Sequence, residues 1–187
     1  YEKNGVIKRS EIDNIIKLVP SDERKKLWGM GIKIGRYHVY LHKMLKPKAV
    51  EFRISLWKIF FDLSEKFQIP KFGLNFIVNK SYEKDFLLLC GFEKFNEYFV
   101  RIDMLEKLFI KILDSSKDRK FKINSEMMNL LGCTKDNFYK LMTYMNYHKD
   151  KDADVYVFKG DKKEKNKFIK FDKKENPFKK LLSLNIK

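Results

Sequence analysis

Cysteine is almost missing from this chain: only Cys90 and Cys133 occur, far apart and outside any Cys-x-x-Cys pair. That excludes a disulfide framework and fits a reducing cytoplasm. Each cysteine adjoins a glycine at an expected helix end, which suits a small buried hydrophobe. Long apolar runs are missing as well. None approaches the roughly 20 residues of a membrane span, and no charged leader precedes an apolar block, so no membrane partner and a cytoplasmic location are expected. No methionine stands at the start; the chain opens at Tyr1 on ordinary amphipathic sequence and reads as a piece excised from a longer polypeptide. Phosphate-loop spacing is missing too. Gly29, Gly31 and Gly35 match neither Gly-x-Gly-x-x-Gly nor Gly-x-x-x-x-Gly-Lys-Ser/Thr, and no strand of buried β-branched residues precedes them. They read as turn glycines.

Acids are the last shortage. Against 41 Lys and Arg stand 25 Asp and Glu, a net charge of +16 and a pI of about 9.6. Such an excess points to a polyanionic partner, a nucleic acid or an acidic surface. An AT-rich genome explains Lys in place of Arg, but not the missing acids. With 187 residues and 44% hydrophobic content the chain buries a real core and is folded, as one large domain or two small ones.

The periodicity predicts a mainly α chain with small β-hairpins, an α+β class. Ser10 to Leu18 places Ile12, Ile15, Ile16 and Val19 at helical spacing behind Ser10 as N-cap. Ser21 caps a short helix with Asp22 and Glu23 first and Arg24, Lys25 and Lys26 later, the order the helix dipole favours. Ile32 to Leu41 alternates and reads as extended. Pro47 starts a helix to about Lys66 whose broad apolar face, including Phe52, Leu56, Ile59 and Phe60, is expected to be buried. Gln68 to Lys80 is a connection or short strand. A helix through Leu87 to Leu89 then ends at Gly91, before a hairpin turning at Asn96-Glu97.

Asp103 and Glu106 have capping-box spacing at the head of a helix to about Asp114. Phe121 to Ile123 is a short strand, Ser125 and Thr134 cap two further helices, and Tyr147 to Lys149 pairs with Val155 to Lys159. That order is the order of a winged helix. Its third helix is expected to bury Phe138, Leu141, Met142 and Met145 and to expose Lys135, Asn137, Tyr139, Lys140 and Tyr144, which suits a recognition helix. A purely structural or protein-binding role fits the same pattern. The organisation is therefore a basic helical module with a C-terminal hairpin (1–102), a winged-helix-like module (103–159) and a lysine-rich C-terminal segment (160–187). In that last segment Asn176-Pro177-Phe178 and the leucines after it suit a final short helix.

No catalytic set emerges. His38 and His42 are four apart but lie in extended sequence without a third ligand nearby, so no metal site is expected and they read as surface or phosphate contacts. Asp150, Asp152 and Asp154 alternate with Lys151 and read as a solvated turn. The strongest constellation is charge. Between Pro20 and Lys58, Arg24, Lys25, Lys26, Lys33, Arg36, Lys43, Lys46, Lys48, Arg53 and Lys58 face only Asp22, Glu23 and Glu51, enough to neutralise several phosphates. Tyr37, His38 and Tyr40 interleave with them. Either they stack on unpaired bases, at about 1–3 kcal/mol each, or Tyr37 and Tyr40, with Trp28, are core residues behind solvated lysines.

These segments carry a resemblance. Leu27-x-Gly29-x-Gly31-Ile32-Lys33-Ile34-Gly35-Arg36-Tyr37, Leu45-Lys46-Pro47, Val100-Arg101-Ile102-Asp103-Met104-Leu105-Glu106, Met127-Met128-x-Leu130-Leu131-Gly132-Cys133 and Asn176-Pro177-Phe178 are similar to landmarks of one region. It is the C-terminal accessory region of bacterial ATP-dependent helicases related to the mitochondrial degradosome RNA helicase. The resemblance covers most of the chain. It implies a parent polypeptide with a DExH-type motor that uses ATP and magnesium, whose motifs do not occur here. No catalytic residue carries over, and no cofactor is expected in this chain. The implied partners are nucleic acid, RNA ahead of DNA, and the helicase core of the same polypeptide. The alternative role is docking of a ribonuclease or ribosomal partner. Lysine in place of many arginines weakens bidentate phosphate recognition.

Overall fold

Three small antiparallel sheets organise the computed structural model, which describes residues 5–61, 68–78, 84–117, 120–150 and 155–159. Together with seven α-helices among those residues they make an α+β chain. The first sheet holds β1 (Val6–Lys8), β2 (Ile32–Ile34) and β3 (His38–Leu41) in the order β1-β3-β2. Between β1 and β2 lie α1 (Arg9–Leu18) and α2 (Ser21–Gly29). A 3-10 turn, His42–Leu45, leads into α3 (Pro47–Phe60). The second sheet, β4 (Phe76–Val78), β5 (Phe92–Phe95) and β6 (Tyr98–Arg101), has the order β4-β6-β5, with α4 (Lys84–Leu89) between its first two strands. Next comes α5 (Ile102–Ser115). The third sheet, β7 (Lys120–Lys122), β8 (Tyr147–Lys149) and β9 (Val155–Phe158), has the order β7-β9-β8, and α6 (Ser125–Leu131) and α7 (Lys135–Tyr144) lie between β7 and β8.

One plan thus occurs three times: a strand, one or two helices, then a hairpin whose second strand takes the centre of the sheet and accepts the first strand on its open edge. Local chemistry sets the hairpins and helix ends. Asn96, with φ of 54°, turns β5 into β6. Gly132 ends α6 in the left-handed region at φ of 66°, where a Cβ is disfavoured. Asn124 and Thr134 cap α6 and α7, accepting from the amides of Met127 at 2.9 Å and Asn137 at 3.4 Å. Asn124 thus takes the cap that sequence assigned to Ser125, which is the first helical residue. Ser10 and Ser21 likewise lie inside their helices, after Lys8 and Pro20.

The largest core joins β6 to everything after it, with Tyr98 and Val100 packed among Leu105, Leu108, Phe121, Phe138, Leu141 and Met142. The expected inner face of α7 is fully buried. A second core sets Val50 and Ile54 of α3 against Phe86, Leu87, Leu89, Cys90, Phe92 and Phe99. The first sheet sets Val6 and Tyr40 against Ile102 in a third, small core, with Val39 also buried.

Two expectations fail. The apolar face of α3 is not buried throughout: Phe52, Leu56, Ile59 and Phe60 are all at least half exposed. The reason is that α3 packs on α4 through the Val50, Ile54 and Trp57 stripe, which leaves the parallel stripe outward. Nor do Asp103 and Glu106 form a capping box. Arg101 is the N-cap and receives no side-chain bond, because Asp103 pairs with the Arg101 guanidinium at 2.7 Å and Glu106 serves a distant strand turn. Among the described residues no helix is long and apolar enough to cross a membrane.

Candidate nucleic-acid interface

The basic run occupies consecutive elements of the first unit. Arg24, Lys25 and Lys26 lie on α2 and are exposed, and Lys33 lies half-buried at the centre of β2. Arg36 and Tyr37 form the β2–β3 tip. Lys43 is on the 3-10 turn, while Lys46 and Lys48 sit at the N-terminus of α3. The His42 amide donates to the Gly31 carbonyl at 3.1 Å, which sets the 3-10 turn beside the junction of α2 and β2. Among the described residues, no acid forms a salt bridge with Lys26, Lys33, Arg36, Lys43, Lys46 or Lys48; Lys25 has an exposed partner, Asp22, at 3.6 Å. The first turn of α3 contains no acid. Cations at a helix N-terminus oppose the dipole, each by about 0.3–1 kcal/mol, so helix stability does not account for their placement.

The tip is held from below by Glu106. Its buried carboxylate accepts from the backbone amides of Arg36, Tyr37 and His38, the last two at 2.9 Å. Gly35 makes this approach possible, since a Cβ there would lie 2.3 Å from the Glu106 carboxyl carbon. The Arg9 guanidinium donates to Gly35 O at 2.9 Å, and Arg36 and Tyr37 rest on the ring of Phe109. Arg36 is therefore presented on a rigid tip.

Beneath the tip, His38 is only 2% exposed. Its Nε2 lies 2.9 Å from Glu93, its Nδ1 lies 3.5 Å from Glu106, and Lys8 closes on Glu93 at 2.9 Å. Burial pulls the imidazole towards the neutral form, but hydrogen bonds and charge from Glu106 and Glu93 outweigh it and raise the pKa above 6.5. Burial likewise pushes Glu93 up, yet bonding to His38 and Lys8 lowers it below 4.5 on balance. The signs are opposite. The His38 contribution to stability is complete below 6.5 and is lost as pH rises through the raised value; that of Glu93 is complete above 4.5 and lost as pH falls through the lowered one. Urea midpoints are therefore expected to peak between these limits and decline towards alkaline pH. His38→Gln flattens the alkaline limb; an unchanged limb in that variant would refute the assignment.

Two sequence assignments, His38 and Arg53, need correction, and the alternative left open for Tyr40 is decided for the core. His38 is not a surface or phosphate contact, because it is enclosed by the two glutamates. Arg53 is buried and donates to Leu89 O at 2.8 Å, so it does not reach a ligand. Tyr40 is buried against Val6 and Ile102; burial, then the charges of Asp103 and Glu106, pushes its phenol up to about 12. Arg24 does double duty, since its guanidinium donates to Val19 O at 2.9 Å and Ile16 O at 2.8 Å and closes the end of α1. Conversely, Trp28, weighed as a core residue, is 64% exposed with Lys33 Nζ 4.0 Å from the ring centroid.

On α7, Lys135 and Lys140 face solvent. Asn137 accepts from the Tyr98 hydroxyl at 3.3 Å, and Tyr139 stacks on Tyr156 at 6.0 Å. Both are tied into the packing rather than presented outward. Asp150 pairs with Lys120 at 2.8 Å; Asp152 and Asp154, like the whole of 160–187, lie outside the described residues. Cys90 and Cys133 are held as thiols, burial pushing them up to about 12 and about 11 respectively. Among the described residues no group of three or more potential ligands is placed to hold a metal ion. No family model, curated protein or solved structure matches this chain.

Proposed function

We propose that this chain is the non-catalytic accessory part of an ATP-dependent helicase and that it holds single-stranded or unwound nucleic acid, RNA in preference to DNA, on the basic surface of its first unit. The observation that carries the reading is the run of exposed cations on α2, the β2–β3 tip, the 3-10 turn and the α3 N-terminus. Apart from Lys25, which has Asp22 at 3.6 Å, they form no salt bridge among the described residues, and Lys46 and Lys48 at the head of α3 sit where the dipole disfavours a cation. Charge of this kind reads phosphate rather than sequence. The third unit adds support: α5, β7, α6, α7 and the β8–β9 hairpin, with β7 paired to β9, follow the order of a winged helix, and Lys135 and Lys140 are the outward cations of α7. ATP and magnesium belong to the motor of the parent polypeptide.

The purified chain is expected to bind short single-stranded RNA, measured by fluorescence anisotropy, and to hydrolyse no ATP. Neutralising 6–10 phosphates of a single strand, at about 0.7 per contact on the logarithmic slope, makes affinity fall by about 300-fold to about 16,000-fold between 50 and 200 mM salt; engaging fewer gives a shallower but still steep decline. Affinity that ignores salt, or no binding at the lowest salt, refutes the reading.

One observation favours a second role. The outward stripe of Phe52, Leu56, Ile59 and Phe60 is an apolar face of the kind that docks protein. The helicase core of the same polypeptide is its proposed occupant, and a ribonuclease the alternative.

A further inference from the structure

We propose that α2 is the strand-holding helix of the first unit and that Trp28 is the platform on which one unpaired base stacks. This names a subsite within the nucleic-acid reading and rests on it. The first observation is topological. α2 directly precedes the β2–β3 hairpin, as α7 directly precedes β8–β9, so the two helices hold the same place in the repeated plan. In the middle unit that place belongs to α4, which buries Phe86, Leu87 and Leu89 and is committed to the core. The α2 helix buries nothing.

A nine-residue helix without a buried side chain gains little from packing and is marginal by itself. Arg24 supplies the anchor, tying the first turns of α2 to the carbonyls that end α1. Positions 24, 25 and 28 share one helical face, so Lys25 stands beside the indole on an anchored helix. Lys33 lies over the ring at 4.0 Å. A cation on one face of an indole leaves the other for a base. Aromatic platforms amid cations are how proteins hold single strands without reading sequence.

The test compares an oligothymidylate with an abasic strand of equal length, which carries the same phosphates and no bases. The intact chain is expected to prefer the base-bearing strand by between about fivefold and about a hundredfold, with quenching of tryptophan emission. Trp28→Ala brings that ratio close to one while the abasic affinity, its salt slope and the circular dichroism stay unchanged. Trp28→Phe retains most of the preference. In both variants the remaining indole, Trp57, lies against Phe86 and is not quenched. Equal binding of the two strands by the intact chain, or a preference that survives in Trp28→Ala, overturns the platform while the backbone reading stands. Failure to bind either strand overturns both.

Discussion

Glu106→Ala is expected to lower the unfolding free energy by about 3–5 kcal/mol, the range seen when one partner of a buried charged arrangement is removed. The carboxylate serves three backbone amides of the Arg36 to His38 tip and lies beside His38. Hydrogen bonds to charged groups contribute about 1.5–3 kcal/mol each, and amides left without an acceptor keep their full desolvation penalty. Set against a total stability of about 5–15 kcal/mol for a domain, the loss is large. Urea titration followed by circular dichroism measures it, and a change under about 1 kcal/mol would show that water replaces the carboxylate at no cost. Glu106→Gln is expected to fall between, since an amide keeps one acceptor oxygen but turns its NH₂ towards donors. Gly35→Ala provides the cross-check. Its Cβ collides with the carboxyl group in the native chain, but much of that cost disappears when Glu106 is already alanine, so the two losses are expected to be clearly less than additive.

Reversing three cations, Lys25, Lys26 and Arg36, to glutamate is expected to weaken binding of single-stranded RNA by roughly a hundredfold or more at low salt. It also flattens the salt dependence, since each lost contact removes about 0.7 from the logarithmic slope on a single strand. Two of the three are on α2 and the third on the tip, and all are exposed; because Lys25 pairs with Asp22 and Arg36 rests on Phe109, circular dichroism of the triple variant is the control for folding. Lys135→Glu with Lys140→Glu on α7 is the comparison. A small effect there assigns the grip to the first unit; an equal one assigns it to both. Undiminished binding by the triple variant would remove the first unit from the interface.

What sequence conveyed here depends on range. Thr134 as a cap, Gly132 as a helix stop, the turn at Asn96 and the buried stripe of α7 are consequences of neighbours within four residues, and all are present. Partnerships across the chain were not legible. The pairing of β1 with β3, and of β4 with β6, joins residues 20 or more positions apart, in segments only three or four residues long. Asp103 and Glu106 have the spacing of a local cap, but their carboxylates went to Arg101 and to a turn near residue 36. His38 and Tyr40 alternate with Val39 like the outer face of a strand. α1 packs on β3, and Glu93, Ile102 and Glu106 close over His38 and Tyr40, so all three are buried. For the interface, the charge was visible in composition, while the exposure of Trp28 depended on how little packs against α2.

The repeated plan has a temporal side. In every sheet the central strand is the last made, so β1, β4 and β7 each leave the ribosome with an open edge that is filled only when its own hairpin is complete. Each unit closes after some tens of further residues, and the three close in order. The first unit differs in one respect: Glu106 is synthesised 70 residues after Arg36. At translation rates of about 5–20 residues per second, the β2–β3 tip waits about 4 to 14 seconds before its three amides meet their acceptor. The basic tip is therefore made well before the carboxylate that fixes it.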